Sequence, residues 1–486
     1  MLALSLSLTG CFSGEGTTTG AAGEGRIKLA MLQPPRSGLS PFSDDAFKLS
    51  RWSTAETLVN LDANGDAQPG LATAWKRTSG QSWEFAIRGG VTFHDGTELT
   101  AKAVVNTLTR ATKASPKPRI LDGVELTVKA QGDKVLVTTA DPDPLVPQRL
   151  SSPQLAILAE SAYGANAKVN PVGTGSGPYK LVKVNGTTTA ALDRYDGYWG
   201  KKAAAAGIDV SFVPDGTARA AAIRSGSAHI AEAVPVSQAA LLDANTITEV
   251  PMPRTNTLYL NAKSGPFKNA GLRAAARTAI NAEEIVKGVY EGRADVAKGL
   301  LGPALPWAAE NRKELTGRTP AANPAGTTIT LATFSDRAEL PEVASVLQQQ
   351  LQKAGFKVNQ VVREYAHIEE DALAGKFDAF ILSRATVLDS GDPVAYLQSD
   401  FSCAGTFNIA QLCDPNVDRA IRTASATEPG DPRRAAIMAA EAAVLRTDAA
   451  IPMLHERVIQ CDATSVIDSA KDPRERILIT ADTKLK

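Results

Sequence analysis

Aromatic residues and histidine are scarce in this sequence, and neither sign of charge is in excess. Phe, Trp and Tyr make up 5% of the 486 residues, and there are 4 histidines. Lysine plus arginine and aspartate plus glutamate number 52 each, and no basic run stands out. A chain without a basic patch is a poor candidate for binding nucleic acid. After the first ten residues, no apolar run approaches the roughly 20 residues that a membrane-spanning helix needs.

The sequence signatures of catalysis are also missing. The G-x-S-x-G turn of many serine hydrolases is absent. Gly173–Tyr179 is rich in glycine, but it lacks the Gly-Lys-Ser/Thr of a phosphate loop and leads into a predicted strand. The four histidines lack the spacing of metal ligands: His94, His229, His367 and His455. We therefore predict a protein that is not an enzyme, with no cofactor and no metal site. His94, beside Asp95, is expected to be a locally hydrogen-bonded turn residue.

Cysteine is rare as well, with four in the chain. Cys11 closes Leu8-Thr9-Gly10-Cys11 after an apolar run, which resembles the lipobox of bacterial lipoproteins. The alternative is an ordinary apolar N-terminus with a free thiol, since the segment lacks the positive start of a secretory signal. Cys403 and Cys413 are predicted to close a short loop in an oxidising compartment, or else to be two separate thiols. Cys461 is left over and is predicted to be a buried free thiol.

Strands and helices alternate along the chain. Trp83, Phe85 and Ile87 share one face of a predicted strand, and Asn185-Gly186 is a two-residue turn between strands predicted at 179–184 and 187–195. Helices are predicted from the N-cap Thr100 to about 111, over 282–291, over 341–354 and over 431–446. A chain of 486 residues is too long for one hydrophobic core. We expect a mixed α/β chain with several lobes.

Several segments occur in the order and spacing of one family. They are Glu56-Thr57-Leu58, Pro69–Trp75, Arg88–Gly96, Gly173–Tyr179, Tyr198-Trp199-Gly200, Tyr259-Leu260-Asn261 and Asp389–Pro393. Together they resemble the extracellular solute-binding proteins of the peptide/nickel/opine class, the receptors of ABC importers, over about residues 27–460. One departure is Ala385-Thr386, where the family often has a Gly-Trp pair that walls the ligand.

The resemblance implies an α/β fold of two lobes around a ligand cleft, with mixed sheets flanked by helices and an enlarged first lobe. Residues 1–11 are assigned to a lipoprotein signal segment and 12–26 to a flexible tether. Lobe I is expected over 27–258, with an inserted subdomain at 51–169. Lobe II is expected over 259–454, and 455–486 return to lobe I. Closure of the lobes around a ligand is a population shift.

The resemblance also implies candidate ligand-binding residues. In dipeptide-binding members, a carboxylate before Gly-Asp-Pro pairs with the ligand's α-ammonium, and Asp389 matches it; otherwise Asp389 caps a turn. Arg337 lies near the position expected for the ligand's carboxylate, and Arg384 is an alternative anion partner. The Cys403 to Cys413 spacing resembles the dipeptide-binding subgroup too.

Three further residues complete the predicted site. Tyr259 and Asn261 lie on the expected hinge strand, where an extended peptide would add main-chain hydrogen bonds. Trp307 is predicted either to wall the pocket or to belong to the core of a lobe.

The resulting prediction is a monomeric, lipid-anchored protein outside the cytoplasmic membrane. It captures short peptides and delivers them to the permease and ATPase subunits of an ABC importer. Two alternatives stay open on the same fold. One is a receptor for nickel, a metallophore or another small solute, and the other is a sensory peptide-binding lipoprotein.

Overall fold

The computed structural model describes residues 25–164, 168–337, 339–387 and 390–486. It is a mixed α/β structure, as predicted. Its strands are β1 (Arg26–Met31), β2 (Val59–Leu61), β3 (Ala67–Pro69), β4 (Ala72–Arg77), β5 (Ser82–Ile87), β6 (Leu126–Gln131), β7 (Lys134–Thr139), β8 (Tyr179–Asn185), β9 (Thr189–Arg194), β10 (Gly207–Phe212), β11 (Ile230–Ala231), β12 (Ile247–Leu260), β13 (Ala294–Val296), β14 (Thr328–Phe334), β15 (Lys357–Arg363), β16 (Ala379–Ala385), β17 (Ala450–Asp462), β18 (Val466–Ile467) and β19 (Lys484–Leu485).

The helices carry the caps that the sequence indicates. Thr100 accepts a hydrogen bond from the amide of Ala103, and Asn281 accepts one from Glu284, each satisfying a free amide of the first turn. The helices are α1 (Ala46–Arg51), α2 (Ala101–Lys113), α3 (Val146–Arg149), α4 (Gly216–Arg224), α5 (Val236–Ala239), α6 (Ala270–Ala279), α7 (Ala282–Gly288), α8 (Pro306–Asn311), α9 (Glu339–Lys353), α10 (Glu369–Leu373), α11 (Val394–Phe401), α12 (Pro415–Ala426) and α13 (Asp431–Arg446). The prediction over 282–291 was three residues too long.

One 11-stranded mixed sheet runs through the molecule in the order β15-β14-β16-β12-β17-β11-β1-β10-β9-β8, with β13 paired to β17. The long antiparallel strands β12 and β17 occupy its centre, paired from Ile247 opposite Cys461 to Tyr259 opposite Ala450, with the register shifting between Pro251 and Thr255 and again between Asn256 and Thr257. A separate four-stranded sheet has the order β4-β5-β7-β6.

The hydrophobic cores lie on opposite sides of these central strands. One core gathers side chains from Leu258 to Leu454, including those of β14, β16, α9 and α13. A second is built on β1 and β8–β10, a third on the four-stranded sheet and α2, and a smaller fourth on α4 and β11. We propose that the first core is lobe II and the others are lobe I with its inserted subdomain. Among the helices that the structure describes, none has the length and apolar character of a membrane span.

Candidate functional site

A cleft of about 2930 Å³ lies where the central strands pass between the cores. Its floor is formed by parts of β12, β16 and β17, and its walls come from both sides of the sheet. The floor residues are Val250, Met252 and Arg254 from β12, Leu382–Ala385 from β16, and Glu456–Gln460 from β17. Because β12 and β17 run from one set of cores to the other, the cleft lies over segments that a hinge motion would bend.

Arg384, on the cleft floor, is held in place by two partners. Its guanidinium makes two hydrogen bonds to the carboxylate of Asp400, of 2.8 and 2.9 Å, and lies over the ring of Phe407, 4.2 Å from the ring centre. Asp400 is fully buried. Burial raises the pKa of its carboxyl, and the Arg384 charge opposes part of that shift. Arg384 therefore neutralises the buried carboxylate of Asp400. Arg384 and the Phe407 ring stacked on it both line the cleft.

Arg337 is half-buried beside the floor. It lies 3.0 Å from the carboxylate of Glu456 and 3.4 Å from that of Glu339, and it donates a 2.6 Å hydrogen bond to the hydroxyl of Ser383. Arg337 and Arg384 thus both line the cleft, and the structure brings these two predicted residues together. Their ligand role stays a prediction, since each already has a carboxylate partner.

Two other predicted site residues, Tyr259 and Asn261, lie outside the cleft. Tyr259 is buried and stacks on Phe401 with ring centres 6.0 Å apart. Asn261 is buried, donates to the carbonyl of Gly375 at 3.0 Å and accepts from the amides that follow it. Strand β12 is paired with β16 on one edge and β17 on the other around Tyr259. Around Tyr259, β12 therefore has no free edge for an added peptide strand, and neither side chain is among those that line the cleft.

Trp307 lies at a direct contact between the two sides, outside the main cleft. Its indole N–H donates to the carbonyl of Asn64 at 3.1 Å. It lines a pocket of about 30 Å³ together with Gly65, Gly391 and Arg434, and the Arg434 side chain forms an ion pair with Asp66 nearby. The structure thus places Trp307 where the turn at Asn64–Asp66 meets α8 and α13.

Two predicted residues, Asp389 and Cys11, lie outside the described residues. The nearest described neighbours of Asp389 in sequence, Val387 and Ser390, line the cleft. Cys403 and Cys413 are joined by a disulfide with an S–S distance of 2.10 Å, and Cys461 is a buried free thiol.

No histidine is among the described residues that line the cleft. His94 is buried beside the glycine-rich segment, where its ring nitrogen Nε2 lies 2.8 Å from the carbonyl oxygen of Gly177. His94 lies in a turn, as expected, but its ring is bonded to a residue 83 positions away in the sequence and not to a local partner. Among the described residues, no three His, Cys, Asp or Glu side chains are grouped so that they could hold a metal ion.

Arg254 is a cleft residue that sequence reasoning missed. This side chain lies on the cleft floor between the two cores, and it makes no hydrogen bond or ion pair with any residue that the structure describes. Two prolines shortly before it, Pro251 and Pro253, were the available signal, because proline interrupts a strand ladder.

Comparisons with known proteins fit this geometry. The family model for bacterial extracellular solute-binding proteins, family 5, middle, matches residues 66–408. Glutathione-binding proteins of Pectobacterium atrosepticum and Salmonella typhimurium are 28% and 29% identical over 300 and 318 residues, or 58% and 62% of each chain. The chain thus spans about three fifths of the length of these curated relatives.

Solved structures resemble this chain over more of its length than the curated relatives do. A nickel ABC transporter structure from Bacillus halodurans is 25% identical with a TM-score of 0.79, and it covers 95% of this chain and 100% of its own. HbpA2 of Haemophilus parasuis has a TM-score of 0.81 at 21% identity, and a Pseudoalteromonas dipeptide-binding protein in complex with Met-Leu has 0.75 at 20%, each with the same coverage. The predicted two-lobed binding-protein fold is confirmed.

Proposed function

The chain belongs to the bacterial extracellular solute-binding proteins of family 5, and we propose that it is the receptor of an ABC importer for short peptides. It holds a peptide between its lobes and releases it unchanged to the permease subunits, which work with ATPase subunits. We place the protein outside the cytoplasmic membrane as a monomer, held by a lipid on Cys11.

The observation that carries this proposal is the position of the cleft. It lies across β12 and β17, the strands that link the two sets of cores, so bending these strands changes the distance between its walls. A ligand that touches both walls stabilises the closed arrangement by the free energy of the interactions that form only on closure. A binding site built this way captures and releases a solute without any chemical step.

The lining supports a zwitterionic guest. Asp389 is our candidate for the peptide's α-ammonium, because a carboxylate before Gly-Asp-Pro has that role in dipeptide-binding members of the family. The arginines that line the cleft are candidates for hydrogen bonds to the peptide's carboxylate. The curated relatives are named glutathione-binding proteins, and glutathione is itself a tripeptide with two carboxylates. We therefore put di- and tripeptides first among the candidate ligands.

A nickel chelate is the second candidate. It is favoured by the 25% identical nickel ABC transporter structure, which matches the chain over 95% of its length. A chelate with carboxylate arms already supplies the metal's ligands, so the protein would need arginines to bind the carboxylates. The same cleft lining therefore suits a peptide and a nickel chelate.

Native mass spectrometry of the purified protein separates these candidates. The expected result is a co-purified mass that fits one or a few short peptides and leaves on mild denaturation. Calorimetry with glutathione, Met-Leu and a nickel–histidine chelate follows on the emptied protein. Recovery of a metal chelate, with no binding of any peptide, would contradict the peptide proposal. Recovery of a peptide cleaved by the protein would contradict the receptor function itself.

A further inference from the structure

Arg254 lies at an irregularity in the central strand β12. Pro251 is opposite Arg457 and Thr255 is opposite His455, so three residues of β12 face only Glu456 on β17. Such a bulge bends the strand and redirects side chains. Prolines cannot donate to the ladder, which explains why the irregularity falls on the Pro-Met-Pro-Arg segment. On the other edge, the carbonyl of Pro253 accepts a 2.8 Å hydrogen bond from the amide of Thr386.

The bulge leaves the arginine on the cleft side. Val250, Met252 and Arg254 alternate along β12 and all line the cleft, as expected for one face of a strand. Arg254 is half-buried, so part of its hydration shell is already replaced by protein. It lies on β12, one of the two strands that link the two sets of cores.

Three other arginines that line the cleft are paired with carboxylates. Arg51 pairs with Glu232 at 2.8 Å and with Glu475 at 3.4 Å. Arg337 pairs with Glu456, and Arg384 pairs with Asp400. Each of these three therefore has its charge satisfied within the protein.

Arg254 differs from all three. Its guanidinium has no hydrogen bond or ion pair among the described residues. Burial lowers the pKa of this group; Glu475 and Glu456 act against the shift, and Arg337 and Arg384 add to it. The two acids that favour its charge are those already engaged by Arg51 and Arg337. A guanidinium keeps its proton in proteins, so a positive charge with unused donors faces the cleft.

We propose that Arg254 binds a carboxylate of the ligand, so that the receptor selects acids whose free carboxylate reaches the floor between the lobes. This inference rests on the proposed function, because it concerns the same cleft. The planar guanidinium donates two parallel hydrogen bonds to one carboxylate. Closure of the lobes removes water from the pair and strengthens it, provided that both partners remain fully bonded.

The test compares matched ligands and matched variants. Di- and tripeptides, including glutathione, are titrated by calorimetry as free acids and as C-terminal amides, and citrate and succinate serve as acids that are not peptides. The variants are Arg254→Gln, Arg254→Lys, which keeps the charge without the planar fork, and Arg422→Gln. Arg422 lines the cleft too, but its side chain is 71% exposed and its nearest carboxylate is 3.9 Å away, so it controls for loss of charge.

Amidation is expected to weaken binding to the wild type by about tenfold to a hundredfold, the range for a charged hydrogen-bonded partner. Arg254→Gln is expected to weaken binding of the free acid by the same factor. Amidation of the ligand is then expected to cause no further loss of affinity for that variant. Arg254→Lys is expected to lie between, and Arg422→Gln to match the wild type. The acid-to-amide comparison on the wild type needs no variant to fold. Some peptide amides keep a carboxylate on a side chain. If such an amide binds the wild type but binds Arg254→Gln more weakly, the proposal is also supported, and the side chain supplies the carboxylate.

The outcomes separate this inference from the peptide proposal. Peptides that bind equally as acids and amides, and equally to Arg254→Gln, overturn the role of Arg254 and leave the receptor function intact. Binding of citrate or succinate alone, dependent on Arg254, supports the inference and refutes the peptide function. Failure of every acid and peptide to bind the wild type overturns both.

Discussion

Removing the Cys403–Cys413 disulfide should destabilise lobe II without disturbing the cleft. Both cysteines are exposed, so replacing them with serine leaves no cavity. The loop that they close carries Phe407, which stacks on Arg384 at the cleft floor. Other contacts hold this loop as well. The side-chain amide of Asn408 donates to the carbonyls of Ser402 at 3.0 Å and Leu412 at 2.7 Å.

The expected loss follows from the unfolded chain. Because the native loop keeps its other hydrogen bonds, the main effect of the cross-link is to restrict the denatured ensemble. For the separation of 10 residues between the cysteines, the chain-entropy relation gives about 2.7 kcal/mol near room temperature. The double serine variant should therefore lose about 2 to 3 kcal/mol of unfolding free energy, and its ligand affinity should stay within about twofold.

Urea unfolding with and without reductant measures this. The wild type should lose the same stability in reductant that the double serine variant loses without it, and reductant should leave the variant unchanged. Peptide titration of the folded variant checks the cleft. A loss below about 1 kcal/mol would refute the entropic reasoning, and a tenfold loss of affinity would show that the disulfide, not Asn408 and its neighbours, positions Phe407.

Three further predictions concern buried titratable groups and the predicted ligand-binding carboxylate. Burial lowers the pKa of His94 and of His455 to about 4. Both sites therefore contribute stability that is complete above the unfolded pKa of about 6.5 and is lost as the pH falls towards 4; urea unfolding at pH 7 and pH 4.5 should differ by about 2 to 3 kcal/mol for each histidine. Asp389→Asn should weaken peptide binding at least about tenfold in calorimetry while the melting temperature changes little. Arg384→Gln should lower the free energy of unfolding by about 3 to 5 kcal/mol, because it leaves Asp400 buried and unpaired, and Arg384→Met with Asp400→Leu should recover most of the loss.

Each of these has a control. His94→Gln can keep a donor to Gly177 and should show a shallower acid loss than the wild type; an unchanged slope would show that His94 does not contribute. Asp44→Asn removes an exposed carboxylate that also lines the cleft, and it should bind peptide normally. Equal affinity of Asp389→Asn and wild type would remove Asp389 from the site. A double variant at 384 and 400 no more stable than Arg384→Gln would mean that the cost lies in packing, not in the unpaired charge.

Local features were predictable because their causes are local. The caps at Thr100 and Asn281 depend on a side chain three residues from the amide it satisfies. The turn at Asn185-Gly186 depends on a residue that adopts positive φ, and Gly186 has φ of 53°. The helix over Asp431–Arg446 begins and ends as expected. In each case the residues that determine the structure are neighbours in the sequence.

The environment of Tyr259 and Asn261 was harder to predict, since it depends on partners far along the chain. A hinge strand was expected from the family, but its two neighbours are strands that begin more than a hundred residues later, β16 and β17. Only this pairing shows that β12 has no free edge around Tyr259 and that Tyr259 faces the core of lobe II. A pattern of hydrophobic residues does not say which strand will lie beside which.

Arg254 shows how a local signal acquires meaning only from such pairing. Two prolines around Met252 indicate an interrupted ladder, yet a sequence cannot say whether the interruption falls at the surface or between two lobes. In the folded chain it falls on the cleft floor, opposite Glu456, which Arg337 already neutralises. The same prolines at a solvent-facing edge would leave an arginine that water satisfies. Because β12 pairs with β17 and the nearby carboxylates are occupied, the charge of Arg254 is instead left for a partner from outside the protein.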